Sequence, residues 1–153
     1  MLCGALCLQH VHQSHGKKLS LRKARELAKT TRHGTTVTNL MSALEQLGYS
    51  HVRLKQRLTW SSLKRLVNGK NDVFVTWLSD LPSGNVAMPA DGHYSVVRKV
   101  SRESLVLYDP DFSTEITLPR AFFWSRFYDF EIDRAGKRTD YLQCAIVARF
   151  GGK

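Results

Sequence analysis

Apolar positions at i, i+4, i+7 and i+8 open the chain: Cys3, Cys7, His10 and Val11 share one face, which predicts a helix from Cys3 to about His15, ended by Gly16. The helical period returns from Ser20 to Thr30, with Leu21, Ala24, Leu27 and Ala28 inward and Arg22, Lys23, Arg25 and Lys29 outward. It returns again after Gly34, where Val37, Leu40, Met41, Leu44 and Leu47 form a stripe, Thr35 or Thr36 can cap the start and Gly48 the end. Val52 and Leu54 then alternate in a short strand from His51 to Lys55, and Leu63, Leu66 and Val67 mark a helix near Ser61 to Asn68 that Asn68-Gly69 stops.

From Asp72 onward the pattern changes. D-V-F-V-T-W-L, residues 72–78, is β-branched and aromatic, as a strand requires, and Leu81 to Gly92 carries prolines and small residues and is expected to be an exposed loop. His93 to Val100 and Ser104 to Asp109 predict an antiparallel hairpin about the turn at Ser101, Arg102 and Glu103, with a further strand from Thr114 to Leu118. Pro119 suits the first turn of a helix to about Phe127, with Phe122, Phe123, Trp124 and Phe127 as core candidates, and Tyr141 to Phe150 predicts a last strand. Helices first and a mainly antiparallel sheet afterwards give an α+β fold of two packed halves, with a cleft between them as the natural site.

Length and composition sharpen this picture. The 153 residues are expected to form a single domain, 1–153, able to bury a core without metal or disulfide staples. An odd set of cysteines, Cys3, Cys7 and Cys144, favours a reducing compartment, and so a cytoplasmic location. The apolar start lacks the basic region of a signal peptide, and no stretch approaches the roughly 20 apolar residues of a membrane span.

The net charge of +10 is uneven: residues 1–75 hold 13 Lys/Arg against 3 Asp/Glu, and residues 76–153 hold 10 against 10. A basic half attracts anionic partners such as nucleic acid, an anionic membrane face or an acidic peptide, although solvated helix faces produce the same count. No zinc-finger or aromatic-basic recognition motif accompanies the charge, so no specific nucleic-acid partner is expected.

Three residues carry the candidate chemistry. A thiol attacks as thiolate, and a helix N-terminus, with unpaired N–H groups and a favourable dipole, is where a nucleophilic cysteine gains most; Cys3 stands there, and Cys7, one turn on, does not. Gly4 would let a substrate carbonyl approach the backbone. His93 opens a strand after the Asp91-Gly92 turn, and the returning strand of the hairpin can bring Asp109 back beside it to orient the imidazole. Each has a plainer reading on its own: Cys3 as a small buried hydrophobe, His93 as a structural histidine, Asp109 as the turn residue of Asp-Pro-Asp.

Together, C-G-A-L-C-L at the start, D-G-H-Y-S-V-V before the turn and L-V-L-Y-D-P after it resemble the papain-like peptidases that process double-glycine leader peptides, domains often fused to peptide-exporting ABC transporters. G-T-T-V-T-N-L-M-S-A-L-E-Q-L-G-Y and D-V-F-V-T-W-L extend the likeness, which covers most of residues 1 to about 127. The resemblance implies a papain-like fold, Cys3 as nucleophile, His93 as general base and Asp109 as orienting acid, with no cofactor and no metal. It implies cleavage of a leader peptide after paired small residues, ideally Gly-Gly, and an ABC transporter as partner. Such leaders carry apolar and acidic positions, which the basic half would suit.

One departure stands out. The family places a glutamine several residues before the cysteine to complete the oxyanion hole, whereas only Met1 and Leu2 precede Cys3, and Gln9 and Gln13 lie downstream. A chain truncated at its N-terminus and an impaired member are both consistent with this. Loss of one oxyanion donor typically costs ~10²- to 10³-fold in turnover. The alternative is therefore a peptide-binding domain of the same fold that has lost the chemistry. A zinc site built from Cys3, Cys7, His10, His12 and His15 is a second rival, weakened because only Cys3, Cys7 and His10 share a helix face.

Overall fold

In the computed structural model, which describes residues 1–79 and 92–151, the chain forms five helices and eight strands, two strands more than the six the periodicities suggest. The expected loop from Leu81 lies outside the described residues, except for Gly92, which opens a strand. Helix α1, Cys3–Ser14, has Leu2 at its N-cap, which offers no side-chain oxygen. Helix α2, Leu21–Leu27, is capped by the Ser20 hydroxyl, which accepts from the Lys23 N–H, and α3, Val37–Gln46, by Thr36, which accepts from the Asn39 N–H. Strand β1, Ser50–Lys55, leads to α4, Trp60–Asn68, which begins in a reciprocal capping box between Thr59 and Ser62.

The sheet follows. Strands β2, Asp72–Leu78; β3, Gly92–Val100; β4, Ser104–Asp109; and β5, Thr114–Pro119, run as an antiparallel meander, and β8, Ala145–Arg149, inserts between β1 and β2. The order β1-β8-β2-β3-β4-β5 is antiparallel throughout. Being central, β2 is buried on both faces along its whole length, which explains its near-continuous apolar run.

Two cores flank the sheet, because alternate residues of each strand point to opposite faces. On one face Phe74, Tyr94, Val96, Tyr108 and Ile146 pack with Cys7, Leu8 and Val11 of α1, Ala24 of α2 and Leu40 and Leu44 of α3. On the other, Val73, Val75, Trp77, Val97, Leu105 and Leu107 pack with Leu63 of α4 and with Phe123 and Phe127. The fold is thus α+β, as the order of elements implies.

Two expectations need correction near the C-terminus. The helix expected to Phe127 is only one turn long, α5, Arg120–Trp124, and β6, Tyr128–Ile132, follows it and pairs with β7, Arg138–Leu142, in a separate two-stranded sheet. The strand expected over Tyr141 to Phe150 is two, because Gln143 turns the backbone at φ 42° and sends β8 into the main sheet. Both misreadings have one cause: the aromatic cluster and the apolar tail each span an abrupt change of direction that apolar periodicity does not register.

Candidate active site

Cys3 is the first residue of α1, so the N–H groups of its turn have no intrahelical acceptor and no side-chain cap. Its side chain is 4% exposed and lies at the wall of a cleft of about 260 Å³. Facing it across the sheet end is His93, the second residue of β3 and also buried. The imidazole interacts with Cys3 on one side and is hydrogen-bonded to Asp109 on the other, where Nε2 donates to Oδ2 at 2.8 Å. With Nε2 used by Asp109, the nitrogen left for Cys3 is Nδ1, which Asp111 Oδ2 approaches only to 3.8 Å. Cys3, His93 and Asp109 are therefore brought together.

Topology makes this possible. Sixteen residues separate His93 from Asp109, and the β3–β4 hairpin returns the chain so that the end of β4 lies beside the start of β3. Asp109, with no exposed surface, is held from three directions: Oδ1 accepts the Asp111 N–H at 2.9 Å, and Oδ2 accepts from His93 and from the Ser95 hydroxyl at 3.2 Å. Ser95 in turn accepts from Trp77 Nε1 at 3.0 Å, and the Trp77 ring stands edge-on to His93 at 6.0 Å. Ser95 and Trp77 were not singled out from the sequence. The period of a strand could have found them, since Ser95 follows His93 by two residues and Trp77 pairs with His93 in register.

The electrostatics favour an ion pair. Burial pushes the His93 pKa down, but the hydrogen bonds with Asp109 and Cys3 and their charges outweigh it, so the value is raised to about 10. At neutral pH the ring is an imidazolium, placed beside Cys3. The other cysteines sit differently. Cys7 is buried and donates to the Tyr94 carbonyl at 3.4 Å, and burial pushes its thiol well above the usual range; burial also raises Cys144 to about 12. Both are core residues in chemically quiet surroundings.

Gly4 also has a packing role. A Cβ there would lie 2.8 Å from Thr35 Cβ, so the missing side chain lets α1 pack on the segment before α3. Gln9 and Gln13 both donate to the Leu19 carbonyl, at 3.0 and 3.3 Å, and tie α1 to the start of α2 instead of reaching the cleft. The histidines of α1 also disperse. His12 contacts the Tyr49 hydroxyl, His15 meets Asp72 at 2.7 Å, and His10 stacks on Tyr108. Among the described residues, the group whose ligand atoms converge is His93, Asp109 and Asp111, not the set on α1.

The cleft also has acidic residues that the sequence reading missed. Asp129 and Glu131 of β6 line it with Tyr94, Gly92, Gly34 and Thr35. Asp129 is buried, accepts from Thr76 Oγ1 and from the Phe130 N–H, and lies where Gly92 lacks a Cβ. Glu131 accepts the Val37 N–H at the start of α3 at 2.7 Å and the Tyr141 hydroxyl at 3.0 Å, so it clamps α3 to the small sheet. The basic residues of α2 are exposed and lie outside this wall.

A buried thiol at a helix start, beside an imidazole that a buried carboxylate orients, is the arrangement of a papain-type peptidase. The family model described as Peptidase C39 family matches residues 1–133. The chain belongs to the Peptidase C39 family. Among curated C39 relatives, the Transport/processing ATP-binding protein ComA of Streptococcus pneumoniae, in strains R6 and TIGR4, is 32% identical over 124 residues. That match covers 80% of this chain but only 16% of ComA. Solved C39 structures share the fold. The peptidase domain of Streptococcus ComA superposes with a TM-score of 0.71 at 22% identity, covering 97% of this chain and 92% of that one. A double glycine motif protease from an AMS/PCAT transporter, in complex with a leader peptide, gives 0.63 at 18% identity, covering 97% and 84%. Among the described residues, no helix is long and apolar enough to cross a membrane.

Proposed function

We propose that this C39 chain is a cysteine peptidase that cuts a leader peptide after a Gly-Gly-type site, with Cys3 as nucleophile, His93 as acid–base and Asp109 as the group that holds His93. The observation that carries the proposal is the buried His93, hydrogen-bonded to Asp109 and set beside Cys3 at the start of α1. That arrangement favours catalysis over a peptide-binding module that has lost its chemistry.

The steps follow from the geometry. The Cys3 thiolate attacks the carbonyl carbon of the residue before the cut, and the oxyanion that forms is met by N–H groups of the uncapped first turn of α1. His93 gives its Nδ1 proton to the departing amine, leaving a thioester on Cys3. It then takes a proton from water, which attacks the thioester, and the acid product departs as Cys3 and His93 regain their starting charges. Asp109 keeps Nε2 protonated throughout, so the exchange stays at Nδ1.

The Gly-Gly preference and the leader substrate rest on family membership, supported by the narrow wall of Gly34, Thr35, Gly92 and Tyr94 beside Cys3. The ComA relatives are transport and processing proteins, which supports an ABC transporter as the partner that exports the processed peptide. Incubation of the protein and its Cys3→Ala variant with leader peptides carrying Gly-Gly, Gly-Ala and Leu-Leu tests this by mass spectrometry. Cleavage by the parent alone, after Gly-Gly and more slowly after Gly-Ala, is expected. Equal cleavage of Leu-Leu would overturn the specificity, and cleavage by Cys3→Ala would overturn the nucleophile.

A further inference from the structure

α1 carries Cys3, whereas His93 and Asp109 belong to the β3–β4 hairpin, so the proposed pair is assembled across a seam between two elements. Among the described residues, two polar contacts cross that seam beyond the site itself. One is the Cys7 thiol on the Tyr94 carbonyl. The other is a two-part grip on His10. Its ring lies on the Tyr108 ring with centroids 3.6 Å apart and planes 1° from parallel, while Arg98 Nη2 meets its Nε2 at 2.6 Å. Tyr108 immediately precedes Asp109, and Arg98 lies on the strand that carries His93.

Arg98 is aimed by the backbone. Pairing of β3 with β4 runs Val96 to Tyr108 and Val97 to Leu107, then jumps to Lys99 with Val106, so Arg98 is the extra residue of a β-bulge. A bulge turns a side chain away from the direction the pleat would give it, and here the guanidinium reaches α1. A guanidinium only donates, so His10 Nε2 must be an unprotonated acceptor.

We infer that His10 is a positioning residue: held between Arg98 and Tyr108, it sets the helix bearing Cys3 against the hairpin bearing His93 and Asp109, and it does so only as the neutral imidazole.

The inference rests on the peptidase reading only for the identity of what is positioned. Protonation would place a second cation against Arg98 and remove the acceptor. The groups facing His10 are Arg98 from β3, Tyr108 from β4 and Glu115 from β5, which pairs with Tyr108 across the sheet. Burial and Arg98 lower the His10 pKa from 6.5, and Glu115 opposes them, so the ring is neutral at pH 7 and its grip is lost as the pH falls below the ordinary histidine range.

The test compares the parent, His10→Gln, Glu115→Gln and the double variant. His10→Gln keeps an acceptor for Arg98 and cannot gain a proton. The readouts are the Cys3 alkylation rate with iodoacetamide and the melting temperature, each from about pH 7.5 to about pH 5, across the ordinary histidine value. In the parent both should fall on the acid side in a step that His10→Gln lacks. Glu115→Gln should move that step to lower pH and have no such effect in the His10→Gln background. Should His10→Gln fail to fold, the shift in Glu115→Gln, read with the His10 ring resonance by NMR, decides alone. Profiles that coincide for all folded variants would overturn the inference. Neither readout needs a substrate, so a protein that shows the step yet cuts no Gly-Gly peptide would sink the peptidase reading and leave this one standing.

Discussion

The carboxylate of Asp129 fills the space where any residue but glycine at position 92 would carry a Cβ. Asp129 also accepts from Thr76, so β2, β3 and β6 meet at one buried acid next to the residue that precedes His93. Gly92→Ala must push the start of β3 or the Asp129 side chain aside. Overpacking of this kind costs about 1–3 kcal/mol, worth ~2–4 °C of melting temperature per kcal/mol in a chain of this size. Because the displaced backbone carries His93, Cys3 alkylation at neutral pH should slow as well. Asp129→Ala combined with Gly92→Ala should recover part of the melting temperature, which differential scanning calorimetry would show.

Loss of the Asp109 charge should be felt in turnover before it is felt in binding. Asp109→Asn keeps the shape but can present an N–H to Nε2, which disfavours the tautomer the reaction needs. A fall of roughly 10²- to 10⁴-fold in kcat with little change in KM is expected from steady-state kinetics on a Gly-Gly peptide.

Ser95 acts one step further back. It donates to Asp109 and accepts from Trp77, all three side chains being buried. Ser95→Ala leaves the Trp77 N–H without its acceptor, at a cost of about 1–3 kcal/mol, and frees Asp109 to turn. The expected result is a lower melting temperature with a kcat reduced less than in Asp109→Asn; Ser95→Thr, which keeps the hydroxyl, should restore much of both.

How much of this was legible in the sequence follows from the range of each interaction. Helices α1 to α4 show because their apolar stripes and caps are local, as with Thr36 and Ser20. Cys3, His93 and Asp109 were legible because motif order and hairpin spacing carry them. Asp129 and Glu131 were not: they lie on β6, for which no element was expected, and their partners Thr76 and Val37 are 53 and 94 residues away. The packing of Gly4 on Thr35 was hidden for the same reason, since Thr35 lies 31 residues on, in the segment before α3.

The His93 pair also sets a pH dependence of stability. With its folded value raised to about 10 from 6.5, the stabilisation is fully present below about 6.5 and is lost as the pH rises through about 10. The parent should therefore lose more melting temperature than His93→Gln between neutral pH and about pH 10.5.

The central claim is that Cys3 becomes acylated by the leader. A leader peptide with a Gly-Gly site, mixed with the protein, quenched in acid within one turnover and digested, reads this by mass spectrometry. The account predicts a thioester of the leader fragment ending in the second Gly on the peptide that contains Cys3. Acylation at Cys7 or Cys144, or cleavage without any acylated cysteine, would contradict it.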